Sequence, residues 1–191
     1  QVHLRVQTAT GVFSELFMTV HNLDAESFVD APGLLALDNK PLNPHPIIND
    51  IALATKVVPN PFASVIADAR PVTIQAANNL SFATKLIRAK PGEVLALTFD
   101  NPDVVPHNWA LLKPGTLQRV GQMANQLISD PEAAIKQYVP DTTDVLAFTD
   151  IVLPKQQFTI YFQVPEQPGR YPYLCTFPGH WLVMNGVLLV E

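Results

Sequence analysis

A single cysteine stands among 191 residues, so no internal disulfide can staple the fold, and cysteine usage says nothing about the redox compartment. Charge is scarce as well. Asp, Glu, Lys and Arg make up 15% of the chain, the formal net charge is −5, and no basic tract occurs. Nucleic acid is therefore excluded as an expected partner. No run of about 18 apolar residues exists, and no membrane span is expected. No charged-then-apolar leader opens the sequence, either because none existed or because it was removed. Internal repeats are absent too. What is plentiful is apolar surface, at 48% of residues, enough for one sizeable core. Proline is also plentiful, at 18 residues spread along the chain, which argues against long helices and for short strands joined by loops.

Two regions differ in texture. In residues 1–70, Val2, Leu4 and Val6 alternate as in a strand, Thr10-Gly11 reads as a turn, and Phe13 to Val20 reads as a second strand. From Asp30 to Pro61 prolines recur too often for regular ladders. This N-terminal extension is read as a strand pair followed by a proline-stiffened arm. Residues 71–191 are regular. Strands are expected at 72–76, 82–87 and 94–99, at Gln157 to Val164, through Tyr171–Leu174, and at Gly186 to Val190. Between 113 and 143 the period becomes helical. Leu117, Val120, Ala124, Leu127 and Ile128 share a face behind a Thr116 cap, and Asp130-Pro131-Glu132 reads as a second helix start. The expected class is all-β, a sandwich or barrel interrupted by a short helical flap.

The stretch CTFPGHWLVM, Cys175 to Met184, carries the chemistry. It offers a thiol, an imidazole and a thioether from one loop. Each alone is ordinary: a lone Cys or Met usually fills a core. The chance of His and Met at two prescribed positions after a Cys is roughly 4 × 10⁻⁴ from composition. Sulfur donors favour Cu(I) and imidazole suits both copper states; two His, one Cys and a weak axial Met make a blue-copper electron-transfer site. A second histidine is needed. His107, in NPDVVPHNWALL after the apolar strand ending at Phe99, is the candidate.

With these residues in view, the segment 71–191 resembles the cupredoxins, the azurins and auracyanins in particular, through HNW and CTFPGHxxxM. The resemblance implies a Greek-key β-sandwich with one type 1 copper ion at its end. His107, Cys175 and His180 would be the equatorial ligands and Met184 the axial one. It implies that Asn108 ties the first ligand loop to the second through Thr176. Backbone N–H groups of Asn108 and Phe177 would point at the Cys175 sulfur. Pro106 replaces the glycine common in azurins before the first ligand; its carbonyl could make a weak axial contact. The resemblance also implies an electron carrier, not an enzyme, in a periplasmic or other extracytoplasmic setting. Its redox partner would be a cytochrome or another oxidoreductase.

An apolar patch around His180 would dock that partner, with Trp181 expected on the patch. The alternatives are a copper domain of a larger redox enzyme, or a copper storage or handling protein without redox turnover. Zinc suits the thioether poorly. His3, His21 and His45 read as exposed histidines, with a second metal site among them as the alternative. No feature of the sequence sets the oligomeric state.

Overall fold

Period-2 alternation builds most of this architecture. In Val94–Asn101 the residues Leu95, Leu97 and Phe99 are fully buried while Val94, Ala96 and Thr98 are less so, the pattern of a strand with one face on a core. The same alternation runs through Gly186, Leu188 and Val190. The computed structural model describes residues 2–7, 13–18, 59–77, 79–130 and 132–191. The chain divides into two compact units, 1–41 and 42–191.

In the first unit, β1 (Val2–Gln7) pairs antiparallel with β2 (Phe13–Met18), in a register that sets Val2 opposite Met18 and Gln7 opposite Phe13. The turn expected at Thr10-Gly11 lies outside the described residues, as does most of the proline-rich arm.

The second unit holds β3 (Arg70–Ala77), β4 (Ser81–Phe82), β5 (Leu86–Ala89), β6 (Val94–Asn101), β7 (Ala110–Leu112), helix α1 (Leu117–Gln126), β8 (Val145–Phe148), β9 (Gln156–Gln163), β10 (Gly169–Leu174) and β11 (Asn185–Val190). One sheet has the order β5-β11-β10-β7-β8, the other β4-β3-β6-β9. Pairing is mostly antiparallel, with β3 beside β6 and β5 beside β11 parallel. This is the Greek-key β-sandwich the sequence led us to expect. Between the sheets lie Ile74, Phe82, Leu95, Leu97, Phe99 and Ile160 from one side and Trp109, Leu111, Tyr173 and Leu188 from the other. Phe82 stacks edge-on against both Phe99 and Tyr173, joining the layers.

Several local expectations change. The single strand expected at 82–87 is two, β4 and β5, interrupted at residues 83–85. Strands β7 and β8 were not foreseen. Thr116 does precede α1, but its Oγ1 donates back to the Lys113 carbonyl at 2.8 Å and does not cap the helix. The second helix start is a correction. Residues 132–138 form turns, with Gln137 and Tyr138 both at positive φ (56° and 54°), which stops helical propagation.

Part of the expected arm packs on this sandwich. Asn60 is buried and donates to the Phe148 carbonyl (3.0 Å) and Asp150 Oδ1 (2.9 Å). The Phe62 ring meets Phe148 edge-on, and the Phe62 carbonyl accepts from Tyr161 N–H at 2.7 Å. Among the described residues, no helix is long and apolar enough to cross a membrane.

Candidate metal centre

The sandwich brings two loops together at one end. The first follows β6 and leads into β7; the second follows β10 and leads into β11. His107 is pinned in the first by a two-bond bridge to Val152: its N–H donates to the Val152 carbonyl (3.2 Å) and its carbonyl accepts from Val152 N–H (2.7 Å). Cys175 begins the second loop, and its N–H donates to the Met184 carbonyl at 3.0 Å. A short 3₁₀ turn, His180–Leu182, follows Gly179, whose φ of 85° favours glycine. Met184 N–H donates to the His180 carbonyl at 2.8 Å, closing the loop on itself.

The result is a triangle of donor atoms. Cys175 Sγ lies 3.6 Å from His180 Nδ1 and 3.9 Å from His107 Nδ1, and the two Nδ1 atoms are 3.1 Å apart. Two imidazole lone pairs facing each other at that range repel unless a proton or a cation sits between them. The point equidistant from all three atoms is about 2.1 Å from each, within reach of metal–nitrogen and metal–sulfur bonds. These three residues are also the group of His, Cys, Asp and Glu side chains, among those described, that could hold a metal ion. Met184 is fully buried in the same apolar cluster as Cys175.

Burial sets the protonation chemistry. It pushes the Cys175 thiol up to about 12, with the N–H groups of Asn108 (3.5 Å) and Phe177 opposing the shift. It pushes His180 down to about 4, aided by repulsion from His107, and lowers His107 as well, against the pull of Asp103. Burial thus favours the neutral form of all three donor side chains, and a cation that binds them replaces the thiol proton. Asp103, whose Oδ2 lies 3.1 Å from His107 Nε2, is the residue that sequence reasoning passed over. Burial would raise its carboxyl; hydrogen bonds from Val104 N–H and His107 outweigh that and hold it below the ordinary range. Its i,i+4 spacing from His107 was the available signal.

Asn108 joins the two loops. Its Oδ1 accepts from Thr176 N–H at 2.7 Å, and its Nδ2 donates to Thr176 Oγ1 at 2.6 Å and to the Gln137 carbonyl at 3.1 Å. The Phe177 ring lies tilted against both His180 (centroids 4.9 Å apart) and Tyr138 (5.0 Å). Pro106 is buried directly before the first histidine. The side chains of His3, His21 and His45 lie outside the described residues.

Trp181 is a correction. It does not lie on an open patch: it is 9% exposed and packs with Ala110, Leu112, Val120 and Leu174. Helix α1 holds it there. Asn125 Oδ1 accepts from both the Trp181 indole N–H (3.1 Å) and Gly179 N–H (2.9 Å), and a Cβ at Gly121 would collide with the indole. Gly121→Ala is thus expected to destabilise the protein. Overpacking costs about 1–3 kcal/mol, more than the helix gains from the lost glycine, about 1 kcal/mol. A lower denaturant midpoint at unchanged slope would register it; an equal or higher midpoint would mean that the indole shifts freely.

A buried pocket of two imidazoles and one thiol, with a methionine in the same cluster, at the end of a Greek-key sandwich, is the layout of a mononuclear copper protein of the cupredoxin class. The profile of copper-binding proteins of the plastocyanin/azurin family matches residues 70–191. The chain is 33% identical over 146 residues to auracyanin-B of Chloroflexus aurantiacus, covering 73% of this chain and 61% of that protein. It is 29% identical over 131 residues to azurin of Pseudomonas denitrificans, covering 63% of this chain and 97% of that one. A solved structure of auracyanin B superposes with a TM-score of 0.58 at 32% identity, covering 69% of this chain and 96% of that one. The chain belongs to the plastocyanin/azurin family of copper-binding proteins.

Proposed function

We propose that this chain is a single-copper electron carrier. The copper would be held by His107, Cys175 and His180, with Met184 as a weaker axial donor. The observation that carries this reading is the convergence of Sγ and two Nδ1 atoms within 4.8 Å in a buried pocket. Bound copper would supply one-electron exchange between Cu(II) and Cu(I). The residues do the rest. Cys175 offers soft sulfur to the reduced ion, the two imidazoles serve both states, and Asn108 and Phe177 aim N–H dipoles at the sulfur. The Asn108–Thr176 bonds hold both loops in one geometry, so little needs to move when charge changes.

His180 is the proposed electron port. It keeps 9% exposure while His107 has none. Leu182 (63% exposed) and Val183 (52%) follow it in the chain. Val104 (75%) adjoins Asp103, which bonds the histidine whose ring lies 4.9 Å from that of His180. Exposed aliphatic side chains around the narrow exposed edge of this imidazole suit brief contact with a cytochrome or another oxidoreductase, since redox encounters use small interfaces. An extracytoplasmic setting fits the family.

Copper-loaded, oxidised protein should show an intense visible thiolate-to-copper band that reductant bleaches and oxidant restores. Protein that binds Cu(I) but never colours with oxidant would overturn the carrier reading in favour of storage. For docking, Leu182→Glu should slow electron self-exchange between copies about tenfold, equivalent to roughly 1.4 kcal/mol, with the visible spectrum unaltered. Self-exchange at the parent rate, read from NMR line widths in mixed-oxidation samples, would remove that patch from the mechanism.

A further inference from the structure

The loop before the first histidine contains more than a turn. Asn101 ends β6 fully buried, and its Nδ2 donates to the carbonyls of Val105 and Val152, both at 2.8 Å. Its Oδ1 accepts from Asp103 N–H at 3.1 Å. Asp103 in turn receives Val104 N–H on Oδ1 at 2.7 Å and faces His107 Nε2 through Oδ2 at 3.1 Å. The Asp103 main chain is thus fixed by the buried Asn101 amide, and its carboxylate is held by Val104 N–H and aimed at the outer nitrogen of one imidazole. It is only 13% exposed. Among the described residues, nothing pairs with the outer nitrogen of His180. The two histidines are inequivalent.

From this geometry we propose that Asp103 is a positioning residue that holds the His107 proton on Nε2, leaves Nδ1 free for copper, and biases the site toward the oxidised ion. A carboxylate has only lone pairs to offer, so the nitrogen facing it carries the hydrogen. That assigns the tautomer and turns the Nδ1 lone pair toward Cys175 and His180. The same carboxylate makes the imidazole a stronger donor and adds negative charge beside a metal whose charge changes by one. Such charge favours Cu(II) over Cu(I). Lys155, which donates to the Pro102 carbonyl from the exposed side, screens part of this effect without removing it. Asn101 acts one step further out, by fixing the loop that presents the carboxylate.

The proposal rests on the copper reading, and its test separates the two. In the metal-free wild type, ¹⁵N shifts of the His107 ring should show the proton on Nε2. A proton on Nδ1 overturns the tautomer assignment without any copper being added. In the loaded protein, Asp103→Asn keeps the size and an acceptor oxygen while removing the charge. The ratio of Cu(II) to Cu(I) affinity should fall about tenfold, the lower end of what outer partners of metal ligands control, which is a rise of about 59 mV in midpoint potential. The visible band should persist. An unchanged or lowered potential overturns the charge bias. Asp103→Leu, which removes both charge and acceptor, should in addition show a mixture of His107 tautomers in the metal-free protein; a single Nε2–H tautomer there overturns the positioning role. Wild-type protein that takes up no copper would overturn the metal reading, and the redox half of this proposal with it.

Discussion

Cys175→Ser is expected to abolish the visible charge-transfer band of the copper-loaded protein and to weaken Cu(I) binding by on the order of 10²–10³-fold. The estimate follows from sharing a metal-binding free energy of about 10–16 kcal/mol among four donors. Serine presents a hard oxygen in place of a polarisable thiolate, so the transition that colours the site has no origin and the reduced ion loses its best partner. The fold should survive. Cysteine and serine differ little in volume, and the N–H groups of Asn108 and Phe177 that now point at Sγ can donate to Oγ. Metal titration with a competing Cu(I) chelator, alongside a denaturant melt of the metal-free protein, separates the two effects. Retained colour would mean that Cys175 is core filling and nothing more.

The second large effect is on architecture. Asn108→Ala should lower the stability of the metal-free protein by about 3–5 kcal/mol. Removing the side chain strands the Thr176 N–H, the Thr176 hydroxyl and the Gln137 carbonyl, and unsatisfied buried groups cost about 1–3 kcal/mol each. Both Asn108 and Thr176 are fully buried, so water cannot readily take over. The two ligand loops then lose their shared clamp, and copper affinity should drop about 10–100-fold as well. Denaturant unfolding of the metal-free variant checks the first figure. A loss below about 1 kcal/mol would mean that the loops are held chiefly by the Val152 bridge and by packing.

The candidate ligand loop was legible because its signal is short-range: a sulfur, an imidazole and a second sulfur within ten residues, separated by turn chemistry. Strands β6, β9 and β11 were legible because each has one face on the core and alternates accordingly. Strand β7 was not, since Ala110, Leu111 and Leu112 are all fully buried and no alternation survives. Trp181 was misplaced because its orientation depends on Gly121 and Asn125, about sixty residues earlier, and not on its neighbours in the loop. Proline at 131 suggested a helix start, yet the left-handed pair at Gln137 and Tyr138, which sequence pattern does not mark, turns the chain instead. Asp103 looked like part of a loop; only the fold shows its carboxylate facing the ring four residues on.

Three of the four proposed donors travel on one ten-residue peptide, closed at its ends by the Cys175 N–H bond to Met184. That peptide behaves as a cassette. A single exchange of the segment between related genes would swap most of the ion's surroundings at once, while the lone donor at position 107, bridged to Val152, would stay behind as the inherited anchor. Diversity of colour and driving force could thus accumulate in one short stretch of coding sequence, with the sandwich beneath it left untouched.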